Sequence, residues 1–519
     1  MSRFRRMAHN VVSSYAALVA AAVFGLAMLP VAHHYLGKDS ERFGLWFLMS
    51  TITVYMSLID LGMSNSVARL LIDYKDRRND GEYGSLIKTG WMVLLVQAGI
   101  ILVVGIGLSP ALAWTLKIKV ELQWEFIQLL RWQSASLALA FVLRIFSHLL
   151  NAHQRSDIQN YGQVFGFGLN FFLMWIFFRA GHGVFSLAWA TLLTYFLSGL
   201  VCLVACQRLG LFPQQGMWGR ISWERFRELF RFGQDMFLVA LGTQLIMGSQ
   251  ILIIQRTMGG AAATLWGIGT KLFSMVSQVI WRISDTAGPT FSEMIVRGER
   301  ETLKSRYREM VILTASLSGF FAVGFALCNS LFVTVWFHGD YYWPIVNDLG
   351  LAGWMLVLAV LHCHNCFVLL TKQVGFMRYI YFIEGLLFVG FALVSAKPGG
   401  FLAVIGSSLF CSCLFSGAYG IWRIHRYFEI SIREVLLDWQ IPMGRTILFC
   451  VLLAGVTWLA TQKLQNPVLR LGVDLLVFGP VGLCIFLRYG LPQTFQREIS
   501  TRAPKVALPF LKKILNTNH

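Results

Sequence analysis

The chain has 519 residues, of which 56% are apolar and only 13% charged. A soluble chain of this length forms about three or four domains, with about 25% charged residues, so the composition excludes a soluble protein. The formal net charge of +18 indicates basic loops facing anionic membrane lipids rather than nucleic acid, and the nine cysteines, most of them inside apolar runs, do not indicate a disulfide framework.

Apolar segments follow one another along the chain, and the longest approach or exceed the ~20 residues that cross a bilayer. Divided at charged residues and at Gly or Pro, they predict fourteen transmembrane helices, at 11–35, 43–67, 86–109, 124–150, 161–178, 184–205, 234–255, 262–283, 310–335, 349–370, 377–395, 401–421, 444–461 and 468–487. The basic N-terminus resembles that of a signal peptide, but the length of the first segment predicts an uncleaved span. The predicted fold class is an all-α polytopic membrane protein.

The distribution of basic residues supports this count. With both termini in the cytoplasm, the cytoplasmic segments and their edges carry 31 Lys or Arg and the external ones carry 9. Four more fall within spans: Arg131, Arg144, Lys271 and Arg282. Cytoplasmic loops carry the excess of Lys and Arg, so the alternation predicts a multi-pass protein with both termini inside.

The two halves of the chain resemble each other at an offset of about 222 residues. Leu36-Gly37 precedes Phe43-Gly-Leu-Trp in the first half, and Met258-Gly259 precedes Leu265-Trp-Gly-Ile in the second. The similarity predicts two six-helix lobes related by a parallel internal repeat, an architecture of transporters that bind substrate between the halves.

The predicted domains follow from this repeat. They are an N-terminal lobe at 1–206, an amphipathic cytoplasmic linker at 207–233, a C-terminal lobe at 234–424, two additional helices at 425–490 and a basic cytoplasmic tail at 491–519. Within the linker, the basic and aromatic stretch 223–231 suits the inner leaflet, although a simple connection between halves explains it equally well.

Two segments of the first half carry a family resemblance. The sequence LGKDSERFGLWFL at 36–48, followed by YMSLIDLGMSNSVAR at 55–69, resembles the opening of the polysaccharide transporter (oligosaccharide flippase) family. This family belongs to the multidrug/oligosaccharidyl-lipid/polysaccharide exporter superfamily. The resemblance implies a two-lobed helical carrier that moves polyprenyl-diphosphate-linked oligosaccharide across a bacterial inner membrane for O-antigen, capsule or exopolysaccharide export. Lipid II flippases of the superfamily have cationic residues inside the first spans, and this chain departs from that pattern.

Polar and basic residues inside predicted spans indicate a cavity, because an Arg or Lys at a helix centre costs about 2.5–3.5 kcal/mol on insertion scales. On the eighth span, residues spaced i, i+3, i+7 and i+11 share one helix face; they are Lys271, Ser274, Gln278 and Arg282. On the fourth span, Arg144, His148 and Asn151 repeat the pattern. These side chains are predicted to bind the diphosphate of the substrate. Alternatively, Arg144 and Arg282 extend to the cytoplasmic interface, while Arg131 has no assigned role.

Three acidic residues are candidates for coupling transport to an ion: Asp60, Glu384 and Asp285. Each either binds a proton or sodium ion or pairs with a neighbouring cation, and for Asp285 the predicted partner is Arg282. The motif His362-Cys-His-Asn-Cys366 places Cys363 and Cys366 where they would share a zinc ion, but helical geometry directs the two histidines elsewhere. We therefore predict no metal site and no cofactor.

The sequence contains no GxxxxGK[ST] phosphate loop, so an ion gradient, the membrane potential or the substrate gradient is the expected driving force. We expect a carrier rather than an enzyme. Anionic lipids are expected to contact the protein, and polysaccharide polymerase and chain-length machinery are expected partners. Two alternatives stay open: a drug/cation antiporter of the same superfamily, and a membrane-embedded glycan polymerase or ligase.

Overall fold

The computed structural model describes residues 3–36, 39–74, 81–153, 155–371 and 375–502, and these contain helices and no β-strand. The helices are α1 Arg3–Leu36, α2 Ser40–Ser57, α3 Met63–Tyr74, α4 Glu82–Thr115, α5 Val120–Ala152, α6 Ser156–Arg179, α7 Phe185–Arg208, α8 Trp223–Met247, α9 Ser249–Met258, α10 Gly260–Gly269, α11 Lys271–Arg297, α12 Arg300–Trp336, α13 Ile345–Leu370, α14 Met377–Ser412, α15 Ala418–Phe428, α16 Ile432–Leu436, α17 Ile441–Thr461, α18 Pro467–Ile485 and α19 Gln493–Arg502. The predicted all-α polytopic class is confirmed. Most of the predicted basic tail, from 503 onward, lies outside the described residues.

Twelve helical segments of the described chain are long and apolar enough to cross a membrane. The predicted count of fourteen is not confirmed. The predicted eleventh and twelfth spans fall in one helical run, Met377–Phe428, in which Gly400 has a non-helical backbone with a φ of 62°. The predicted eighth span covers α10 and part of α11, neither of which is among the twelve.

The eighth predicted span is not one continuous helix. It is interrupted at Thr270, where φ is −92° and ψ is 2°. The amide of Asn329 donates to the Gly269 carbonyl at 2.9 Å. A side chain at Gly269 would also overlap the Trp343 ring, because a Cβ atom there would lie 2.3 Å from it. The break is therefore held by contacts with α12 and the turn after it.

Several helix ends are set by local sequence. The carboxylate of Asp39 accepts hydrogen bonds from the Glu41 and Arg42 amides at 3.0 and 3.2 Å, which begins α2. Asn466 caps α18 in the same way, and Pro467 follows at the first helical position, where its missing N–H costs nothing. Gly298 ends α11 in the left-handed conformation that glycine adopts without strain.

The helices divide into two compact units, and the first extends from Met1 to Thr264. Within it, α4 packs on α5, α5 on α7 and α1 on α6. Helix α2 approaches α10 closely at Gly44, where a Cβ atom would lie 2.8 Å from the Gly260 carbonyl oxygen. Since α8 and α9 fall in this unit, it extends beyond the predicted N-terminal lobe, whose boundaries stay a prediction.

The second unit extends from Leu265 to His519 and is built around α12, which contacts α11, α13, α17 and α18. Aromatic side chains fill one end of its core. Tyr307 is fully buried and packs on Phe367, Phe428 and Trp439, with ring centroids 4.5 to 6.0 Å apart. Such tight packing holds the helices of this unit in one arrangement.

Helix α8 begins with the basic stretch predicted to lie on the inner leaflet. Its Arg225 hydrogen-bonds Glu82 and Glu228, which ties the start of α8 to α4. Burial lowers the pKa of Arg225, but these hydrogen bonds outweigh it and the guanidinium pKa lies above its usual value. Trp223 at the start of the helix is 75% exposed, so its side chain is accessible to lipid, and contact with the membrane stays a prediction.

Candidate functional site

An ion pair joins two candidate residues of the first unit that sequence reasoning treated separately. The second predicted span is broken by a turn at Leu61 and Gly62, both with positive φ, and Asp60 precedes this turn. The Asp60 carboxylate accepts hydrogen bonds from the amide and hydroxyl of Ser64 at the start of α3. It also lies 3.8 Å from a guanidinium nitrogen of Arg144 on α5.

Arg144 is held from several sides. Its guanidinium donates to the Ser64 hydroxyl at 3.3 Å and lies 4.1 Å from the centre of the Phe141 ring. The side chain stays 29% exposed. A carboxylate, a hydroxyl and a ring thus fix the direction of the arginine, while part of its side chain stays accessible.

The accessible part of Arg144 lines a cavity of about 560 Å³ between α1, α5, α6 and α7. The other polar groups of its lining are neutral, and they include Gln159, Ser147, Gln163, Asn170, Thr191, Thr194, Tyr195 and Ser198. Arg144 is the only charged residue among the described residues that line the cavity. A cavity of this size, with one cation and several amides and hydroxyls, suits an anionic ligand that also carries hydroxyl groups.

The other two candidates on α5 are not in this lining. His148 is buried, and its Nε2 atom has no hydrogen-bond partner among the described residues. Asn151 is half-buried near the end of the helix. Of the predicted row of Arg144, His148 and Asn151, only Arg144 lines the cavity. Substrate contact by His148 and Asn151 stays a prediction.

The predicted stripe lies on α11 in the second unit. Ser274 and Gln278 are exposed, whereas Lys271 and Arg282 are half-buried. Lys271 was expected in the middle of a span, but it is the first residue of α11, directly after the break at Thr270. The stripe is therefore accessible along part of one helix face, and its contact with substrate stays a prediction.

Asp285, one turn after Arg282, has a partner that sequence reasoning missed. Its carboxylate lies 3.0 Å from Nε2 of His362 on α13, and Arg282 acts on it electrostatically as well. His362 is in turn 3.3 Å from the sulfur of Cys366, which lies 3.8 Å from the Asp285 carboxylate. Three groups able to ligate a metal thus meet at one point between two helices.

The remaining members of the His-Cys motif are engaged elsewhere. The Cys363 sulfur lies 3.0 Å from the Ser284 hydroxyl, and Nδ1 of His364 lies 2.6 Å from the Tyr307 hydroxyl. The spacing i, i+4 directs His362 and Cys366 to the same face of α13. The expectation that both histidines point away from the cysteines is therefore wrong for His362, and Cys363 is not paired with Cys366.

Glu384 is buried within the second unit, and both oxygens of its carboxylate accept hydrogen bonds. Its carboxylate accepts from the Ser412 hydroxyl at 3.0 Å, from the Ser416 amide at 3.0 Å and from the Ser416 hydroxyl at 3.2 Å. The segment Cys413–Gly417 is a π-helical turn, which turns the Ser416 amide toward the carboxylate. Turns of this kind are frequent at functional sites, and this one surrounds a candidate coupling acid.

Sequence reasoning missed Asp348, a buried acid near the start of α13. Its carboxylate accepts from the Asn329 amide and from the Trp343 indole, each at 2.7 Å. The signal was an asparagine inside the apolar run 310–335, because a polar residue there requires a partner. The same Asn329 donates to Gly269, so this network supports the break before α11.

Comparison with known proteins decides the family. A family model described as a polysaccharide biosynthesis protein matches residues 40–347, more than half of the chain. The chain belongs to this family. The recognition drawn from the segments at 36–48 and 55–69 is confirmed. No curated protein sequence matches the chain.

Solved structures of the MOP superfamily share the fold. The lipid II flippase MurJ in an inward closed conformation has a TM-score of 0.67 at 12% identity, covering 92% of this chain and 98% of that one. An inward-facing multidrug resistance MATE family transporter has a TM-score of 0.61 at 17% identity, covering 79% and 96%. A MOP superfamily transporter from Pyrococcus furiosus, described as having a binding pocket of reverse polarity, has a TM-score of 0.59 at 17% identity, covering 82% and 96%. This family member is therefore a multi-pass membrane protein with the fold of MOP transporters.

Proposed function

We propose that this protein is a flippase that moves polyprenyl-diphosphate-linked oligosaccharide across the bacterial inner membrane by alternating access. The glycan would supply O-antigen, capsule or other exopolysaccharide, with polymerase and chain-length machinery acting on it at the outer face. Both termini would lie in the cytoplasm. The observation that supports this proposal most directly is the cavity of the first unit, with Arg144 as the charged group of its described lining.

The chemistry of this cavity matches the polar part of such a substrate. A diphosphate carries about two negative charges, and the planar guanidinium of Arg144 presents paired donors to phosphate oxygens. Amide and hydroxyl groups such as those of Gln163, Asn170 and Tyr195 suit sugar hydroxyls. Asp60 fixes the direction of the arginine, and 29% of the arginine side chain stays exposed.

The polar face of α11 supplies further candidate contacts for the headgroup, namely Lys271, Ser274, Gln278 and Arg282. Transport would be driven by an ion gradient or by the membrane potential, with Glu384 as the leading coupling group, since it is buried with three hydrogen bonds to serines. Asp60 and Asp285 are the other candidates. The proposed cycle breaks no covalent bond, so the protein would act as a carrier and not as an enzyme.

The test replaces the arginine at matched protein level in cells whose own copy of the gene is deleted. Arg144→Gln is expected to lower surface polysaccharide about tenfold or more, because a hydrogen bond to a charged group contributes about 1.5–3 kcal/mol. Arg144→Lys should retain part of the export, since it keeps the charge without the planar fork. Lipid-linked oligosaccharide should accumulate on the cytoplasmic side.

The matched control is Arg179→Gln, since Arg179 is an exposed arginine at the end of α6 in the same unit. It should export normally. Full export by Arg144→Gln would contradict the proposal. Drug resistance on overexpression with unchanged polysaccharide would instead favour an antiporter, and glycan joining by the purified protein would favour a polymerase or ligase.

A further inference from the structure

Three side chains of different chemistry meet where α11 contacts α13. The carboxylate of Asp285 comes from α11, and the imidazole of His362 and the thiol of Cys366 come from successive turns of α13. The distances are 3.0 Å from Asp285 Oδ1 to His362 Nε2, 3.3 Å from His362 Nε2 to Cys366 Sγ and 3.8 Å from Cys366 Sγ to Asp285 Oδ1. Among the described residues, these three are the one group of His, Cys, Asp or Glu side chains whose potential ligand atoms all lie within 4.8 Å of one another.

These distances match the edges of a tetrahedral metal site. With metal–nitrogen and metal–oxygen bonds of about 2.0–2.2 Å and a metal–sulfur bond of about 2.3 Å, tetrahedral angles place the ligand atoms about 3.3–3.6 Å apart. Of the three observed separations, 3.0 Å lies below that range, 3.3 Å lies at its lower limit and 3.8 Å lies above it. Shifts of a few tenths of an ångström would therefore bring all three atoms to bonding distance of one ion.

The ligand types select the kind of metal. A thiol sulfur and an imidazole nitrogen favour zinc over magnesium or calcium, which prefer oxygen ligands. The spacing of His362 and Cys366 directs both side chains to one face of a helix, as in zinc sites with ligands at i and i+4. Asp285 is 44% exposed, so a fourth position on the ion would face solvent.

The surroundings orient the imidazole. The indole of Trp281 stacks on the His362 ring with centroids 4.9 Å apart and planes 17° from parallel. The stacking restricts the plane of the ring, and Nε2 faces Asp285 and Cys366. Neighbouring groups that fix the orientation of a metal ligand raise the affinity for the metal. The stacked indole would therefore favour metal binding by His362.

We propose that Asp285, His362 and Cys366 bind a zinc ion that links α11 to α13, with a water molecule or a phosphate oxygen in the fourth position. On binding, the Cys366 thiol releases its proton to water and the thiolate coordinates the ion. Asp285 and Cys366 then balance the two positive charges of the metal, and the open position faces solvent next to Arg282. The site does not depend on the proposed flippase activity.

The test uses full-length protein in detergent, treated with a chelator and then titrated with Co²⁺ as a spectroscopic substitute for zinc. One equivalent should produce the visible absorption of a tetrahedral ion together with a thiolate-to-cobalt charge-transfer band, and Zn²⁺ should displace both. Cys366→Ser should remove the charge-transfer band. His362→Ala and Asp285→Asn should weaken Co²⁺ binding more than tenfold, since even supporting residues around a metal site contribute about 10–100-fold.

The matched control is Cys363→Ser, because Cys363 lies three residues before Cys366 on the same helix and contacts Ser284 instead. It should bind Co²⁺ like the unaltered protein. Elution volume and helical circular dichroism establish that each variant is folded. If Cys366→Ser does not fold, Asp285→Asn retains the thiol and should still show a weaker charge-transfer band. A titration of the unaltered protein without a charge-transfer band overturns the proposal, as does a band that survives in folded Cys366→Ser or is lost in folded Cys363→Ser.

Discussion

The pair of Arg144 and Asp60 combines a structural and a candidate binding role in one contact. Their charged atoms are 3.8 Å apart, with 29% and 16% of the two side chains exposed. Exposed ion pairs contribute about 0–1 kcal/mol, whereas removing one partner of a buried pair costs about 3–5 kcal/mol. This pair lies between those limits, so losing one charge should affect both folding and transport.

A double substitution separates these two roles. Arg144→Gln should destabilise the protein by about 1–3 kcal/mol, because it leaves Asp60 without its cation in a half-buried site. Adding Asp60→Asn removes the unpaired charge and should recover much of that stability. Thermal unfolding in detergent gives the stability, and surface polysaccharide gives the export. If the arginine binds substrate, the double variant is stable but inactive; recovery of export together with stability would show a purely structural role.

Glu384 offers a similar test for ion coupling. Glu384→Gln removes the group that would bind the coupling ion, so export should no longer respond to collapse of the proton or sodium gradient. Ser416→Ala removes one hydroxyl donor at 3.2 Å but leaves the carboxylate, and its export should keep that response. The measurement is polysaccharide export with and without an ionophore. An unchanged response in Glu384→Gln would exclude this residue as the coupling group.

At the scale of helices, close approach of backbones determines which elements pack together. Gly44 lies in the FGLW segment on which the family resemblance depends, and the structure places it against Gly260. Small residues at helix contacts let backbones approach in membranes, where apolar burial between helices gives little driving force. The motif glycine is thus explained by a contact with α10, and not by contact with the proposed substrate.

Two glycine substitutions test this packing. In Gly44→Ala the new Cβ would lie 2.8 Å from a backbone oxygen and 3.1 Å from the Thr264 hydroxyl oxygen, so the helices must separate and the melting temperature should fall. Gly99→Ala is the matched control, since nothing lies within 4 Å of its Cβ position on α4. It should be neutral or stabilising by up to about 1 kcal/mol, because alanine is the better helix former. Equal melting temperatures for the two variants would contradict the packing argument.

At the scale of the whole molecule, hydrophobic length predicted the elements well, and contacts between distant residues account for the differences. The predicted spans at 184–205 and 349–370 correspond to α7 and α13 within a few residues. The break before α11 was not predictable, because it depends on Asn329 and Trp343, which lie about 60 and 74 residues further along the chain. The pairing of Asp60 with Arg144 was not predictable either, because the two residues are far apart in the sequence.

The site shows the same division between local and long-range information. Helical spacing predicted the polar face of α11 and the row of Arg144, His148 and Asn151, because residues three or four apart share a face whatever the fold. Of that row, only Arg144 lines the cavity. The spacing did not identify the partners of Asp285, since His362 and Cys366 lie on another helix. Periodicity describes one helix at a time, and the chemistry of a site depends on which helices meet.

The charge distribution predicts the orientation of the whole chain, and two turns of the second unit test it. The turn at Gly298 between α11 and α12 is flanked by five basic residues, Arg297, Arg300, Lys304, Arg306 and Arg308, whereas the segment 336–348 around Gly339 has no Lys or Arg. Basic loops stay in the cytoplasm. Alkaline phosphatase fused after Gly339 should therefore be active, because the enzyme folds only outside the cytoplasm, and a fusion after Gly298 should be inactive. Activity in the Gly298 fusion alone would contradict the predicted orientation of these two turns.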